Sequence, residues 1–417
     1  MNRWVKSGVA ALLLLSLAAG CSSKVPEASS SESRHEEISI SEVEPSQSES
    51  ESSSPESSQP EDEIKVLLQQ MTLREKVGQM FIIRPDALDS SQTTEQIKDS
   101  SAEGVTELSG TMADMLNNYP VGGVAMYGKN IFDPKQITEF INSLQSACNI
   151  PLFMAVDEEG GIVARIANNS AFDVTKYKSA AAVGESGDTS AAAEMGTTIG
   201  AYLHKYGFNL DFAPVADVNS NPSNTVIGTR SFSSDADVTA GMAKAMAEGL
   251  EKQQIIPTFK HFPGHGDTAE DSHKSIAVSH KTKEEMEDCE WLPYESLSTK
   301  SCVMVGHIAA PEITGDLTPA SMSSEIVNDI LRKQLGFAGV VITDSLEMGA
   351  VTNDYTAAEA AVNAIEAGCD VLLCPDNFQE AFDAVLSAAE NGTISEEHIN
   401  ESVYRILLLK QSYGLLK

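Results

Sequence analysis

Short apolar runs recur along the chain, and each is bounded by Gly, Pro, Asn or Asp. The eight runs are Gly78–Ile83, Gly122–Tyr127, Pro151–Val156, Leu210–Val215, Ile255–Phe259, Cys302–Gly306, Gly339–Ile342 and Asp370–Cys374. Longer segments with helical spacing lie between them: Thr189–Tyr206, Asp237–Gln253, Ser323–Gln334 and Tyr355–Ala367. Continuous apolar strands that alternate with helices indicate a parallel sheet. Eight of them predict a closed (β/α)8 barrel of the TIM type, with an open doubly wound sheet as the alternative.

The last apolar positions of the chain are spaced as in an amphipathic helix. Ile399, Val403, Ile406 and Leu407 fall on one face of a helix within residues 394–416. We interpret this segment as the final helix packed on the barrel. The barrel is therefore predicted over residues 63–417, as a single domain.

The chain begins with MNRWVKSGVAALLLLSLAAGC, which combines a short positive region with an apolar stretch. That stretch is shorter than the roughly 20 apolar residues that cross a bilayer, so it predicts a secretory signal peptide over residues 1–21. Small residues before Cys21 resemble a bacterial lipobox, in which the cysteine becomes the lipidated first residue of the mature protein. An ordinary cleaved signal with a chance cysteine is the alternative.

Residues 22–62 are Ser, Glu and Pro with few apolar side chains, a composition that predicts a disordered linker. This linker supplies part of the net charge of −33. Such acidity argues against nucleic-acid binding, which favours a basic face. Together the two N-terminal segments predict a protein outside the cytoplasm, lipid-anchored to the outer face of the bacterial cell membrane. The sequence does not determine the oligomeric state, and a monomer is expected.

Polar side chains follow the ends of several predicted strands. In a barrel these ends meet at one rim, where active sites lie. The residues are Asp157, Glu158, Glu159, Asp217, Asn219, Arg230, Lys260, His261, His307 and Asp344. A carboxylate held at a strand end, such as Asp344, can act as a nucleophile, a base or a metal ligand. It can equally cap the helix that follows, and Asp217 and His307 can be structural.

The densest group of ionisable residues is Lys260–His273, with the sequence KHFPGHGDTAEDSH. Asp271 and His273 lie two residues apart, and a carboxylate bound to an imidazole favours its protonated form. The pair therefore predicts a general acid and base on a loop that Gly264 and Gly266 allow to bend. The alternative is a metal site formed by His261, His265 and His273 with Asp267 or Asp271, although no HxH or HExxH spacing is present.

Six cysteines are present, but no CxxC pair. Neither a zinc knuckle nor a disulfide framework is indicated. Cys302, Cys369 and Cys374 lie in or beside apolar runs, where cysteine behaves as a small hydrophobic residue.

Four motifs together resemble family 3 glycoside hydrolases, in the bacterial β-N-acetylglucosaminidase branch. They are VDEEGG at Val156–Gly161, NTVIGTRSF at Asn224–Phe232, KHFPGHGDTAEDSH at Lys260–His273 and ITDSLEMGAV at Ile342–Val351. They occur in the family's order, and the resemblance covers residues 63–417.

The resemblance implies a role for each matching residue. Asp344 is expected to be the nucleophile, and His273 the general acid and base, with Asp271 as its partner. The residues expected to hold the cleaved sugar are Asp157, Arg230, Lys260 and His261, with Arg165 in a less defined role. No metal and no organic cofactor is expected. Ile162 replaces a common Arg, and Ile276–Ala277 replaces a common Leu–Pro pair, which puts the leaving-group preference in question.

The activity implied is that of a retaining exo-β-N-acetylglucosaminidase, a β-N-acetylhexosaminidase that releases terminal β-linked N-acetylglucosamine. Cell-wall muropeptides or chitin-like oligosaccharides are the expected substrates, in peptidoglycan turnover. A β-glucosidase or an N-acetylglucosamine phosphorylase of the same family is the main alternative. A metal-dependent barrel hydrolase and a non-enzymatic sugar-binding lipoprotein are the others.

Overall fold

The computed structural model describes residues 60–269 and 271–416. The predicted signal peptide, the lipidation site at Cys21 and the linker up to residue 59 lie outside the described residues. The first described helix begins at Pro60, a few residues before the predicted start of the barrel domain at Glu63. No helix within the described residues is both long enough and apolar enough to span a bilayer.

Eight parallel strands, numbered β1 to β8 in chain order, form the barrel. They are β1 Phe81–Ile83, β2 Gly123–Met126, β3 Phe153–Val156, β4 Leu210–Asp211, β5 Ile256–Phe262, β6 Cys302–Val305, β7 Val340–Thr343 and β8 Leu372–Leu373. Their order around the sheet is β7-β6-β5-β4-β3-β2-β1-β8. A parallel bridge between Ile342 and Val371 brings the two edges together, so the barrel is nearly closed. The fold is the predicted (β/α)8 barrel.

Helices surround the strands. They are α1 Pro60–Gln70, α2 Leu73–Gln79, α3 Thr94–Lys98, α4 Gly110–Asn118, α5 Pro134–Ser146, α6 Ala180–Gly184, α7 Thr189–Tyr206, α8 Ala236–Glu251, α9 Lys283–Glu287, α10 Pro311–Thr314, α11 Gly349–Thr352, α12 Ala357–Ala367, α13 Phe378–Glu390 and α14 Glu396–Ser412. A π-helix, Glu325–Gln334, lies where an ordinary helix was predicted over Ser323–Gln334. The helix predicted over Thr189–Tyr206 has these bounds, and α14 lies within the predicted final helix.

The prediction for the first strand, Gly78–Ile83, was wrong at its start. Gly78 belongs to α2, which Thr72 and Glu75 cap through reciprocal hydrogen bonds. A Cβ on Gly78 would lie 2.2 Å from the carbonyl oxygen of Pro120, so this glycine permits close helix packing rather than extending the strand. Apolar character continued from the helix into the strand, and the pattern alone could not separate them.

Every residue of the eight strands is buried, and most are apolar, with Asp211, Lys260 and His261 as the ionisable exceptions. Because the strands are parallel, their carboxyl ends share one rim, and the loops that follow them converge there. Two short strand pairs, one antiparallel and one parallel, lie in these loops. Glu158–Gly160 pairs with Val163–Ala164 after β3, and Ala277–Val278 pairs with Ile308–Ala309 between the loops after β5 and β6. The five cysteines among the described residues are free thiols, and Cys302, Cys369 and Cys374 are buried as expected.

Candidate active site

A charged cluster closes one side of a cavity of about 180 Å³ at the carboxyl rim. The Lys260 Nζ lies 2.9 Å from Asp157 Oδ1 and 2.6 Å from Glu159 Oε1. Arg230 donates two hydrogen bonds to Glu159, at 2.8 and 2.7 Å, and Arg165 Nη2 lies 3.2 Å from Asp157 Oδ2. The five side chains form a continuous row in which positive and negative charges alternate. We name this row the anchor cluster.

Mutual pairing keeps the anchor cluster charged although it is buried. Burial would raise the pKa of Asp157, but Lys260 and Arg165 outweigh it and hold that pKa well below its usual range. Burial likewise opposes ionisation of Glu159, whose pKa Arg230 and Lys260 lower. Burial would lower the pKa of Lys260, and the two carboxylates raise it instead. Such a cluster presents fixed charges and hydrogen-bond donors to a polar ligand.

Asp217 fixes the start of the loop after β5. Its carboxylate lies 2.7 Å from His261 Nδ1 and accepts the backbone N–H of His261 and of His265. Burial opposes its ionisation, but contacts with His261 and His265 lower the pKa of Asp217 to about 2. Asp217 is thus a structural carboxylate that directs the second ring nitrogen of His261 away from it.

His265, on the same loop, uses both ring nitrogens in contacts within the protein. His265 Nδ1 lies 2.7 Å from Thr268 Oγ1, and His265 Nε2 lies 2.9 Å from Ser272 Oγ. Burial lowers the pKa of this imidazole. The His261 and His265 rings therefore stabilise the loop. No group of three or more His, Cys, Asp or Glu side chains that could hold a metal ion is found among residues 60–269 and 271–416.

Asp344 follows β7 directly and lines the same cavity as the anchor cluster. Its Oδ1 accepts the backbone N–H of Ser345 at 2.7 Å. Burial would raise the pKa of Asp344, but nearby His261 and His307 and this N–H lower it. The side chain is therefore held as a carboxylate, in the form required of a nucleophile.

His307, at the end of β6, supports Asp344 indirectly. Its Nδ1 lies 2.8 Å from Ser321 Oγ, and its Nε2 lies 3.0 Å from the carbonyl oxygen of Ser345. The ring is fully buried, and burial lowers its pKa. Glu158 is structural as well, because it accepts the backbone N–H groups of Ile166 and Ala167 and the hydroxyl of Tyr202.

Asp271 and His273 form a hydrogen-bonded pair at the cavity mouth, which we name the dyad. His273 Nδ1 lies 3.0 Å from Asp271 Oδ1, and the same oxygen accepts the His273 backbone N–H at 3.1 Å. The His273 side chain is 67% exposed, yet the residue lines the cavity that holds Asp344. Burial opposes ionisation of Asp271, but the contacts with His273 together lower the pKa of this carboxyl group. The carboxylate fixes Nδ1 and leaves Nε2 to exchange protons.

The loop that carries the dyad rests on the segment after Asp344. Gly349 and Ala350 donate backbone hydrogen bonds to the carbonyl oxygens of His273 and Ser272, at 3.2 and 3.3 Å. A Cβ on Gly349 would lie 2.9 Å from the His273 carbonyl oxygen and 2.7 Å from that of Lys274. This close contact couples the position of the dyad to the nucleophile segment.

The structure thus brings seven predicted site residues to one cavity. They are Asp157, Arg165, Arg230, Lys260, His261, His273 and Asp344. Asp271 lies behind His273, and Cys21 is outside the described residues. Sequence reasoning placed Glu159 at the rim but gave it no role in the site. It also gave no role to Tyr127, Arg84 and Glu347, which line this cavity, although Glu347 lies in the motif that contains Asp344.

Comparisons with known proteins identify a family and several relatives. Residues 72–409 match the family described as glycosyl hydrolase family 3 N terminal domain. The chain is 31% identical over 333 residues to β-hexosaminidase A of Pseudoalteromonas piscicida, covering 73% of this chain and 56% of that protein. It is 33% identical over 290 residues to a β-hexosaminidase of Tolumonas auensis, and the match covers 68% of this chain and 84% of that protein.

A solved structure is similar as well. It is a glycoside hydrolase family 3 β-N-acetylglucosaminidase from Paenibacillus sp. str. FPU-7, with a TM-score of 0.75 and 35% identity. The match covers 83% of this chain and 63% of that one, so this chain spans only about three fifths of the Paenibacillus and Pseudoalteromonas relatives. The family match extends over most of the chain and over every strand of the barrel. The chain therefore belongs to glycosyl hydrolase family 3.

Proposed function

We propose that this protein is a retaining exo-β-N-acetylglucosaminidase. The observation that carries the proposal is the placement of Asp344 and the dyad around one small cavity, whose far side is closed by the anchor cluster. Retaining glycosidases need a nucleophile and an acid on either side of the scissile bond. Here a carboxylate supplies the first role and a carboxylate-bound imidazole supplies the second.

The mechanism has two steps. A carboxylate oxygen of Asp344 attacks the anomeric carbon while His273 Nε2 donates its proton to the leaving oxygen, which breaks the glycosidic bond. A glycosyl-aspartate ester forms. Water then attacks the anomeric carbon as His273 takes its proton, and Asp344 leaves as a carboxylate. Two inversions at one carbon give net retention of configuration.

The anchor cluster and His261 bind the sugar that is cleaved. Asp157 is suited to accept hydrogen bonds from hydroxyl groups, and Lys260 and Arg230 to donate them. Arg165 Nε is buried without a hydrogen-bond partner in the protein and is a further donor for this sugar. The similarity to β-hexosaminidases supports N-acetylglucosamine as the terminal sugar. The proposed substrates are muropeptides of the cell wall or chitin-like oligosaccharides, cut one residue at a time.

The N-terminal sequence supports a location for this activity. We propose that Cys21 carries a lipid and that residues 22–59 tether the barrel outside the cytoplasmic membrane, in reach of the cell wall. Membrane fractionation of wild type and Cys21→Ala tests this, with release of the variant into the soluble fraction as the expected result. Equal retention of both in the membrane would contradict the lipid anchor.

The activity is tested by hydrolysis of a chromogenic β-N-acetylglucosaminide by wild type, Asp344→Asn and Asp354→Asn. Asp354 is an exposed aspartate on the following segment and serves as the matched control. We expect Asp344→Asn to lower kcat by at least about 1,000-fold, because no nucleophile remains. Retention of most activity would contradict the assignment. Proton NMR of the first product is expected to show the β-anomer, and a sugar 1-phosphate in phosphate buffer would instead favour phosphorolysis.

A further inference from the structure

The two edge strands of the sheet, β7 and β8, meet at a seam in the barrel wall. One parallel bridge joins Ile342 to Val371 there, and the Leu346 N–H donates a hydrogen bond to the carbonyl oxygen of Leu373 at 2.9 Å. Residues 344–349, which follow β7, leave the barrel beside this seam. We name them the nucleophile segment, because they begin with Asp344.

An ion pair ties the nucleophile segment to the opposite side of the seam. Glu347, three residues after Asp344, pairs with Arg84, which directly follows β1. The two side chains are only 10% and 11% exposed. The Arg84 guanidinium also lies 3.5 Å from the centre of the Tyr127 ring, which follows β2. A guanidinium that is both stacked on a ring and paired with a carboxylate has little freedom to move.

The ring that carries the guanidinium is itself held by the last strand. The Tyr127 hydroxyl donates to Cys374 Sγ at 3.6 Å, and Cys374 directly follows β8. Cys374 has a φ of 43°, in the left-handed region that is costly for a residue with a side chain. Such a conformation persists only where the surrounding structure fixes it. Side chains that follow β1, β2, β7 and β8 therefore form one connected cluster across the seam.

The nucleophile segment supports both reacting groups of the proposed mechanism. At its start the Ser345 N–H donates to Asp344 Oδ1, and at its end the Gly349 N–H donates to the carbonyl oxygen of His273. Glu347 lies between these two contacts. A displacement of Glu347 would therefore move the nucleophile and the dyad together.

We propose that Arg84 and Glu347 are positioning residues, which fix Asp344 and the dyad relative to the bound sugar. The inference rests on the proposed glycosidase function and adds to it residues that act through the nucleophile segment. Direct contact with the substrate is the competing role, since both residues line the active-site cavity and the buried Arg84 Nε has no hydrogen-bond partner among the described residues.

The test compares two substrates that share the terminal sugar. They are N,N′-diacetylchitobiose and 2,4-dinitrophenyl N-acetyl-β-glucosaminide. We expect Glu347→Ala to lower kcat/KM at least about tenfold for both, because both need attack by a correctly placed Asp344. Glu347→Gln keeps an oxygen that accepts from Arg84 and should stay within about threefold of wild type. Glu366→Ala, at an exposed glutamate of α12, is the matched control and should leave both values unchanged.

A double variant keeps the test valid if the single variant does not fold. Removal of one partner of a buried ion pair is strongly destabilising, whereas Arg84→Met with Glu347→Ala leaves no unpaired charge. Residues that act as a unit lose their effect together, so kcat/KM of the double variant should match that of Glu347→Ala. Wild-type activity in the folded double variant, or losses that multiply between Arg84→Met and Glu347→Ala, would overturn the proposal.

Inhibition by N-acetylglucosamine separates positioning from contact with the sugar. We expect its inhibition constant to stay within about twofold of wild type in Glu347→Ala and in the double variant. A tenfold weaker inhibition would assign the pair to contacts with the bound sugar, and a loss of kcat/KM confined to the disaccharide would assign it to the leaving group. Either result would overturn the positioning role and leave the glycosidase intact. Failure of wild type to cleave both substrates would instead contradict the proposed function.

Discussion

The segment Lys260–His273 has two ends with opposite physical character. Lys260 is 3% exposed, belongs to β5 and lies between two carboxylates of the anchor cluster. The His273 side chain, at the other end, is 67% exposed and contacts Asp271 on the same loop. In the proposed mechanism, sugar binding and proton transfer therefore belong to regions that differ in burial. The anchor cluster can hold a sugar without reorganisation, whereas the dyad can move with its loop.

The largest expected effect is a loss of stability when the buried lysine of the anchor cluster is replaced. Lys260→Met leaves Asp157 and Glu159 buried beside each other without their shared cation. We expect the free energy of unfolding to fall by about 3–5 kcal/mol, since removal of one partner leaves uncompensated buried charge. Chemical denaturation measures it. Lys274→Met, at an exposed lysine of the dyad loop, is the control and should change stability by less than about 0.5 kcal/mol. An equal loss of unfolding free energy in both variants would contradict the difference in stability between the anchor cluster and the dyad loop.

The dyad should show the converse behaviour. His273→Ala removes an exposed side chain, so thermal unfolding should stay close to that of wild type. The value of kcat should nevertheless fall by about 10²–10⁴-fold, because the leaving oxygen departs without a proton. A dinitrophenyl leaving group needs little protonation, so kcat/KM for that substrate, which reports only the first step, should fall much less than kcat/KM for a sugar leaving group. A similar loss for both leaving groups would contradict the role of His273 as general acid.

Asp217 lies where the two regions meet, and it predicts a pH dependence of stability. Its pKa is about 2 in the folded protein against an ordinary value of 3.8, so the unfolded chain binds the proton first as pH falls. The stabilisation is complete above pH 3.8 and is lost as pH falls towards 2, with a size of about 2 kcal/mol. We expect the free energy of unfolding, measured by chemical denaturation at several pH values in this window, to change less steeply with pH in Asp217→Asn than in wild type. An unchanged slope would assign the acid sensitivity to other carboxylates.

Gly349 gives the smallest and most specific effect. Gly349→Ala places a methyl group against the carbonyl oxygens of His273 and Lys274, which must move. We expect kcat to fall by about tenfold with KM nearly unchanged, because misplacement of the dyad affects proton transfer more than sugar binding. Gly110→Ala, at a glycine of α4 with open space around it, is the matched control. A kcat equal to that of wild type in both variants would contradict the claim that contact with Gly349 positions the dyad.

Much of the architecture followed from apolar runs, because a buried parallel strand needs apolar residues on both faces. Where a helix and the next strand are both buried, as for α2 and β1 around Gly78, the hydrophobic pattern could not show where one ends and the other begins. The site was predictable where a polar residue follows a strand, as for Asp157, Lys260 and Asp344. Arg84 also follows a strand and Glu347 lies in a family motif, but their pairing could not be predicted, since it depends on contacts between the loops after β1 and β7.

The sequence by itself determined the alternation of strands and helices, the family motifs and the pairing of Asp271 with His273, because these depend on residues near each other in the chain. Only the tertiary structure decided which charges share a cavity. Glu159 lies beside Lys260 and Arg230 because β3, β4 and β5 are parallel neighbours in the sheet, so their ends and the loop after β4 share one rim. The pairing of β1 with β8, the first and last strands of the chain, is likewise a property of the whole sheet. Long-range contacts of this kind depend on the arrangement of all the strands, and no local pattern encodes them.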